Sequence, residues 1–545
     1  MTERSAGRPE PVSADTFCRD ALPPRELWPV MRYDTLPELA AYPGRLNCAA
    51  ELLDRAVERG WGGRTALLAP GIRWTYGDLL QSANRIARVL TEDLGMRPGG
   101  RVLLRGPNNP MLVACWFAVL KAGGVVVCTM PLLRTRELAF TVDKAKIDLA
   151  LTDTRVAADC EAAMPGGRVV HYGAPDRAGS LEQLMAGKPA SFTNADTGAD
   201  DTALIAFTSG TTGQGKGTMH FHRDVLAICD CFPRYVLKPR ADDIFIGSPP
   251  LAFTFGLGGL VLFPFRFGAA GALLEQGTPP NLIKGIEEFG ATVCFTAPTA
   301  YRAMCALIPS HDISSLRDCV SAGETLPRAT FDAWHEQTGI RIIDGIGSTE
   351  MLHIFISASG EDIRPGATGR PVPGYEARVI GDDGREVPDG EIGRLAVRGP
   401  TGCRYLDNIE RQRAYVQDGW NITGDSYRRD ADGYYWYQAR TDDMIISSGY
   451  NISGPEVESV LLLHPAVQEC GVIGAPDPER GQIVRAFVVL RPGVTADAGL
   501  TKALQDFVKA EIAPYKYPRS IVFTDALPRT DTGKLQRFRL RQEPS

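Results

Sequence analysis

A short apolar run, Ala203-Leu204-Ile205-Ala206-Phe207, leads directly into Thr208-Ser209-Gly210-Thr211-Thr212-Gly213-Gln214-Gly215-Lys216-Gly217. A strand that opens into a loop of glycines and hydroxyls, closed by one lysine, restricts the fold to a scaffold that can present backbone amides to an anion. Glycines remove the Cβ that would keep those amides away, and hydroxyls add donors. The spacing from Gly210 to Lys216 meets the first part of the GxxxxGK[ST] pattern, but Gly217 stands where that motif needs its magnesium-binding hydroxyl. A Walker enzyme is therefore the poorer reading. A flexible linker is the plain alternative, yet linkers seldom follow an apolar strand or precede an ordered run such as Thr218-Met219-His220-Phe221-His222. The segment reads as a phosphate cradle, and phosphate points to a nucleotide.

A chain of 545 residues exceeds what one core supports, so at least two domains are expected. The formal net charge of −6 argues against nucleic-acid binding through a broad basic face. No run of about twenty apolar residues occurs, as a membrane span requires. The most apolar region, Leu251 to Leu274, is broken by glycines, Pro264 and Arg266. The N-terminus carries no apolar signal core. Twelve cysteines and seven histidines are scattered without metal or disulfide spacing, which suits a reducing cytoplasm.

The first two dozen residues are polar and proline-rich and read as an arm lying on the surface. Apolar runs (Arg101 to Leu104, Val125 to Val127, Leu149 to Leu151) then alternate with helices such as Met111 to Ala122, an α/β pattern. It resumes from Ala203 to about Ile346. Between about 363 and 439, short strands are separated by Asp383-Gly384, Asp389-Gly390, Asp418-Gly419 and Asp432-Gly433, which predicts a small barrel or distorted sandwich. From about Thr441 a compact α+β unit follows, with helices over Pro455 to Leu463 and Lys502 to Ile512 and strands near Val472 and over Ala486 to Leu490.

Four further motifs are ordinary one by one. Asp344-Gly345-Ile346-Gly347-Ser348-Thr349-Glu350 offers a tight turn, a donor to phosphate and a carboxylate for magnesium, or equally a loop with a helix cap. Thr423-Gly424-Asp425 could grip a ribose diol or cap a turn. Arg440-Thr441-Asp442-Asp443, with Gly449 beyond it, falls at the composition change. Thr530-Asp531-Thr532-Gly533-Lys534 lies near the C-terminus. Their order along one chain, from Leu52 to Arg539, resembles the adenylate-forming superfamily of acyl-CoA synthetases, luciferases and peptide-synthetase adenylation domains. Within it, Ser248 to Gly259 and Asp344 to Phe355 are similar to aryl-CoA ligases of the benzoate and 2-aminobenzoate type.

The resemblance implies an α/β fold: an N-terminal core over 1–439, of layered α/β subdomains plus the barrel-like part, and a small mobile α+β lid over 440–545. It implies that Thr208, Ser209, Gly210, Thr211, Thr212, Gly213 and Lys216 hold the β and γ phosphates of ATP. Thr349 would contact the α phosphate and Glu350 the Mg2+ ion. Ser321, Ala322, Gly323, Glu324, Asp344, Gly345 and Ile346 would border the adenine, with Asp425 and Arg440 on the ribose. Asp442 would be the hinge, Gly449 would flank the pantetheine path, and Lys534 would bridge the acyl carboxylate and the α phosphate. The acid pocket would lie by Phe253, Phe255, Gly256 and His353; two phenylalanines and small residues suit a flat ring. His353 either contacts the substrate or is a hydrogen-bonded core histidine.

Two departures stand out. The cradle usually reads Pro-Lys-Gly where Gly215-Lys216-Gly217 stands here, and many relatives carry an aromatic at Ile346. The expected activity is magnesium-dependent activation of an aromatic carboxylate as its adenylate, then transfer to CoA. The alternatives are an aryl-AMP ligase serving a phosphopantetheinyl carrier protein, an amine or a hydroxyl, and a non-catalytic nucleotide sensor. A homodimer is left open.

Overall fold

The apolar run at 102–104 is unbroken because every residue of its strand, Arg101–Arg105, is buried. Strands covered on both faces need no polar alternation. In this computed structural model, which describes residues 14–208, 215–440, 443–447, 450–477, 480–512, 514–529 and 535–542, Arg101–Arg105 lies inside a six-stranded sheet. The order is Arg168–Tyr172, Leu149–Asp153, Arg101–Arg105, Val125–Thr129, Thr202–Thr208, Lys216–Phe221. The first five strands are parallel, and the last turns back antiparallel on Thr202–Thr208. The arginine that ends the buried run is neutralised by dipoles and not by a carboxylate: Arg105 donates to the carbonyls of Met130, Pro131, Leu133 and Val156.

A nine-stranded sheet forms the second layer. Its central strands Ile343–Gly347, Asp318–Ala322, Val293–Thr296, Ile244–Gly247, Ala270–Ala272 and Thr65–Ala69 are parallel, with antiparallel strands at both edges. Helix Pro110–Lys121 contacts strands of both sheets and buries every residue except Met111. That position explains why its sequence is apolar all round. Lys121 is accommodated there by its ion pair with Asp54 at 2.5 Å.

Residues 376–440 form a five-stranded antiparallel sheet. The four Asp-Gly pairs turn as read, each with its glycine at positive φ, the conformation that glycine adopts without strain. Further on, Val467–Asp477, Gly481–Leu490 and Ser520–Phe523 make a three-stranded sheet packed on helices Gly454–Leu461 and Ala498–Glu511 around a separate apolar cluster. From residue 14 onward the N-terminal arm is more firmly seated than a surface arm. Cys18 is buried in one cluster with Leu103, Val125 and Ile205, and Asp15 pairs with Arg101. Among the described residues no helix is long and apolar enough to cross a membrane.

Candidate functional site

The cradle connects two antiparallel strands, with Thr208 opposite Lys216, so no helix begins directly behind it as in a Walker loop. Ser209, Gly210, Thr211, Thr212 and Gly213 lie outside the described residues, as do Asp442, Gly449 and Lys534. Lys216 is half-buried. Burial lowers the pKa of its ammonium, Arg411 pushes it the same way, and Glu350 opposes both.

The two sheets meet at this point. His220, on the Lys216–Phe221 strand, lies 2.8 Å from the Thr349 carbonyl through Nε2. Burial pushes His220 down to about 4, so the ring is neutral at pH 7, and because a carbonyl only accepts, Nε2 carries the proton. Thr349 and Glu350 follow the strand Ile343–Gly347. Tyr405 donates its hydroxyl to Glu350 Oε1 at 2.7 Å, and the Tyr415 hydroxyl stands 3.4 Å from Ser348 Oγ. Among the described residues no three His, Cys, Asp or Glu side chains converge as a metal cage. A lone carboxylate such as Glu350 suits an ion that brings most of its ligands as phosphate oxygens and water, as magnesium does.

The residues expected around the adenine come together at the carboxyl ends of neighbouring parallel strands, where open α/β sheets bind ligands. Ser321 pairs with Asp344 and Ala322 with Gly345; Gly323 and Glu324 lead away from the first strand, and Ile346 continues the second. Ser321 Oγ and Asp344 Oδ1 are buried with no hydrogen-bond partner among the described residues. Such orphaned atoms mark a place where a polar ligand can dock. Asp425 and Arg440 are paired across the antiparallel ladder and joined by an ion pair of 3.1 Å. Burial raises the Asp425 carboxyl pKa and Arg440 pulls it back.

Burial also lifts Asp344, to about 7. A carboxyl whose folded pKa exceeds its unfolded value keeps its proton while the unfolded chain loses one, so stability falls as pH rises between about 4 and 7. Asp344→Asn should remove this slope. Relative to the wild type it is expected to gain roughly 2–3 kcal/mol between pH 5 and pH 8, at about 1.4 kcal/mol per pH unit over the titrating window. Denaturant melts at the two pH values check this; parallel pH profiles would rule it out.

Beside these strands, His353 is buried among Phe232, Phe255, Phe263 and Phe295, with ring centroids 4.4–6.5 Å away. Neither ring nitrogen has a hydrogen-bond partner among the described residues. Burial pushes the imidazole down to about 3 against the opposing influence of the nearby Phe255 backbone, which lacks the geometry of a hydrogen bond. A hydrogen-bonded core histidine is therefore not what the structure contains. Phe253 precedes helix Thr254–Leu257 and Phe255 lies in its first turn. A β-carbon on Gly256 would run into the Pro249 and Pro250 carbonyls, and one on Gly258 into the His353 ring.

The small C-terminal unit reaches Glu324. Arg529 lies 3.8 Å from Glu324 and 2.8 Å from Glu469, and it bridges to Leu535. Sequence reading did not find Tyr405, Tyr415, His220 or Arg411. Thr218 and Tyr405 form an isolated bridge between segments far apart in the chain, which no local pattern announces.

A family profile described as AMP-binding enzyme matches residues 53–405, and one described as AMP-binding enzyme C-terminal domain matches 456–534. The chain is 35% identical to a benzoate–CoA ligase of Thauera aromatica over 521 residues, covering 94% of this chain and 99% of the relative. An anthranilate CoA ligase, AuaEII, solved with anthranoyl-AMP, superposes with a TM-score of 0.88 at 36% identity, over 92% of this chain and 98% of that one. A benzoate CoA ligase from Burkholderia xenovorans LB400 gives 0.84 at 34%, over 91% and 100%. The profile matches and the end-to-end likeness to these ligases establish that the chain belongs to the AMP-binding enzyme family.

Proposed function

We propose that this protein is an AMP-forming ligase that activates an aromatic carboxylic acid with ATP and transfers the acyl group to CoA. The observation that carries this reading is that the strand Ile343–Gly347, whose Asp344 pairs with Ser321 and shares with it a buried unpaired polar atom, leads to Glu350, whose charge acts on Lys216. The cradle and Lys216 hold the β and γ phosphates, Thr349 meets the α phosphate, and Asp425 with Arg440 takes the ribose. Glu350 would hold a magnesium ion, which supplies neutralising charge to the phosphates. Lys534 neutralises the carboxylate and α phosphate as they meet. Asp442 is the hinge about which the small domain exchanges faces, and Gly449 then flanks the thiol's path. All twelve cysteines are unpaired, which supports a reducing, cytoplasmic setting.

Pyrophosphate release with benzoate, 2-aminobenzoate and salicylate, with and without CoA, tests the proposal. Acid-dependent release and an aroyl thioester are expected. Release with no thioester would redirect the acyl group to a carrier protein, amine or hydroxyl, and no acid-dependent release would refute the activity.

His353 is the residue we assign to reading the ring. Neutral, it offers one donor and one acceptor, and a substituent beside the carboxylate can use either. His353→Leu should lower the preference between 2-aminobenzoate and benzoate by about tenfold, the worth of one neutral hydrogen bond. Equal kcat/KM ratios in the two enzymes would remove the assignment.

A further inference from the structure

Helix Ile409–Tyr415 is fixed in rotation by its own side chains. Gln412 is fully buried, accepts from the Tyr405 amide at 2.9 Å, and donates to the Leu27 and Cys403 carbonyls. The preceding segment is tied to the cradle's second strand, since the Leu406 amide donates to the Gly217 carbonyl at 2.8 Å. Arg411 lies four residues before Tyr415, and residues so spaced share a helix face. Tyr415 reaches Ser348 and packs on Tyr405, whose hydroxyl holds Glu350.

We propose that Arg411 is a second cation beside Lys216, which grips the pyrophosphate as it departs. This rests on the reading that Lys216 marks the β and γ phosphates. Arg411 forms no ion pair with any described residue, whereas Arg404 and Arg440 each have a carboxylate. Its charge acts on Lys216 in the sense opposite to that of Glu350. Two cations so placed repel, Glu350 offsets part of that cost, and an arriving polyanion turns the rest into attraction. In the reaction a carboxylate oxygen bonds to the α phosphorus. The bond from that phosphorus to the bridging oxygen breaks, and its electron pair leaves on pyrophosphate. No proton or electron is exchanged with another group. A guanidinium presents two parallel donors to such an oxygen pair.

The test compares Arg411→Ala, Arg411→Lys and Lys216→Ala in the full-length protein, measuring pyrophosphate release, product inhibition by inorganic pyrophosphate and KM for benzoate. Arg411→Ala should weaken pyrophosphate inhibition by about 10–100-fold, the worth of a charged hydrogen bond. KM for benzoate should stay within about twofold, and Arg411→Lys should recover part of the loss because it keeps the charge but not the fork. Unchanged inhibition in Arg411→Ala with weakened inhibition in Lys216→Ala would overturn this inference alone. Unchanged inhibition in both would overturn the cradle assignment beneath it. Lost activity with inhibition unaltered in Arg411→Lys would also count against it, as that pattern belongs to a structural role.

Discussion

Lys534→Ala is expected to slow pyrophosphate release by on the order of 10²–10³-fold, the cost of one lost contact to developing charge. A carboxylate and a triphosphate repel, and the pentavalent transition state concentrates negative charge where they meet. A cation placed there acts more strongly in that state than on either reactant. Lys534 itself lies outside the described residues, but the chain on both sides of it is anchored. Arg529 faces Glu324, and Leu535 packs into an apolar cluster of the small unit. Because Lys216 and Asp425, the residues proposed for the phosphates and the ribose, belong to other elements, binding of a non-hydrolysable ATP analogue should change little. Wild-type pyrophosphate release in this variant would refute the assigned role.

Glu350→Gln should cost about 10²-fold in the same assay, as one lost charge at the phosphates, and raise the magnesium needed for half-maximal rate. The amide keeps an oxygen for the Tyr405 hydroxyl and loses only the charge. Tyr405→Phe makes the complementary change, keeping the charge and removing one hydrogen bond to the carboxylate, worth about 1.5 kcal/mol or roughly tenfold. If the two variants lose rate equally at saturating magnesium, Glu350 acts through orientation and not through its charge.

Much of the fold is legible in the sequence because the physics is local. Runs such as 102–104 stay apolar where both faces of a parallel sheet are covered, and the Asp-Gly pairs demand positive φ whatever surrounds them. Pairing at a distance leaves no such trace. Nothing near Thr65–Ala69 says that it lies beside Ala270–Ala272, and nothing near Tyr405 names Glu350 as its partner. Ser520–Phe523 escapes sequence reading because no residue in it is fully buried, so its apolar signal is weak. The arm's polarity conceals its anchorage, which rests on a few apolar residues, Phe17, Cys18 and Leu22. For the site, residue types and order suffice to propose Glu350 and Asp425. The surroundings of His353, four aromatic rings drawn from separate elements, exist only once the chain has folded.

The main-chain oxygens packed under Gly256, and the imidazole packed against Gly258, leave an engineer unequal freedom. Bulk added at Gly256 would displace backbone and bulk at Gly258 the imidazole, so on the proposed placing of the acid pocket, remodelling toward larger or smaller acids begins at Phe253 and Phe255, whose side chains can be trimmed or exchanged.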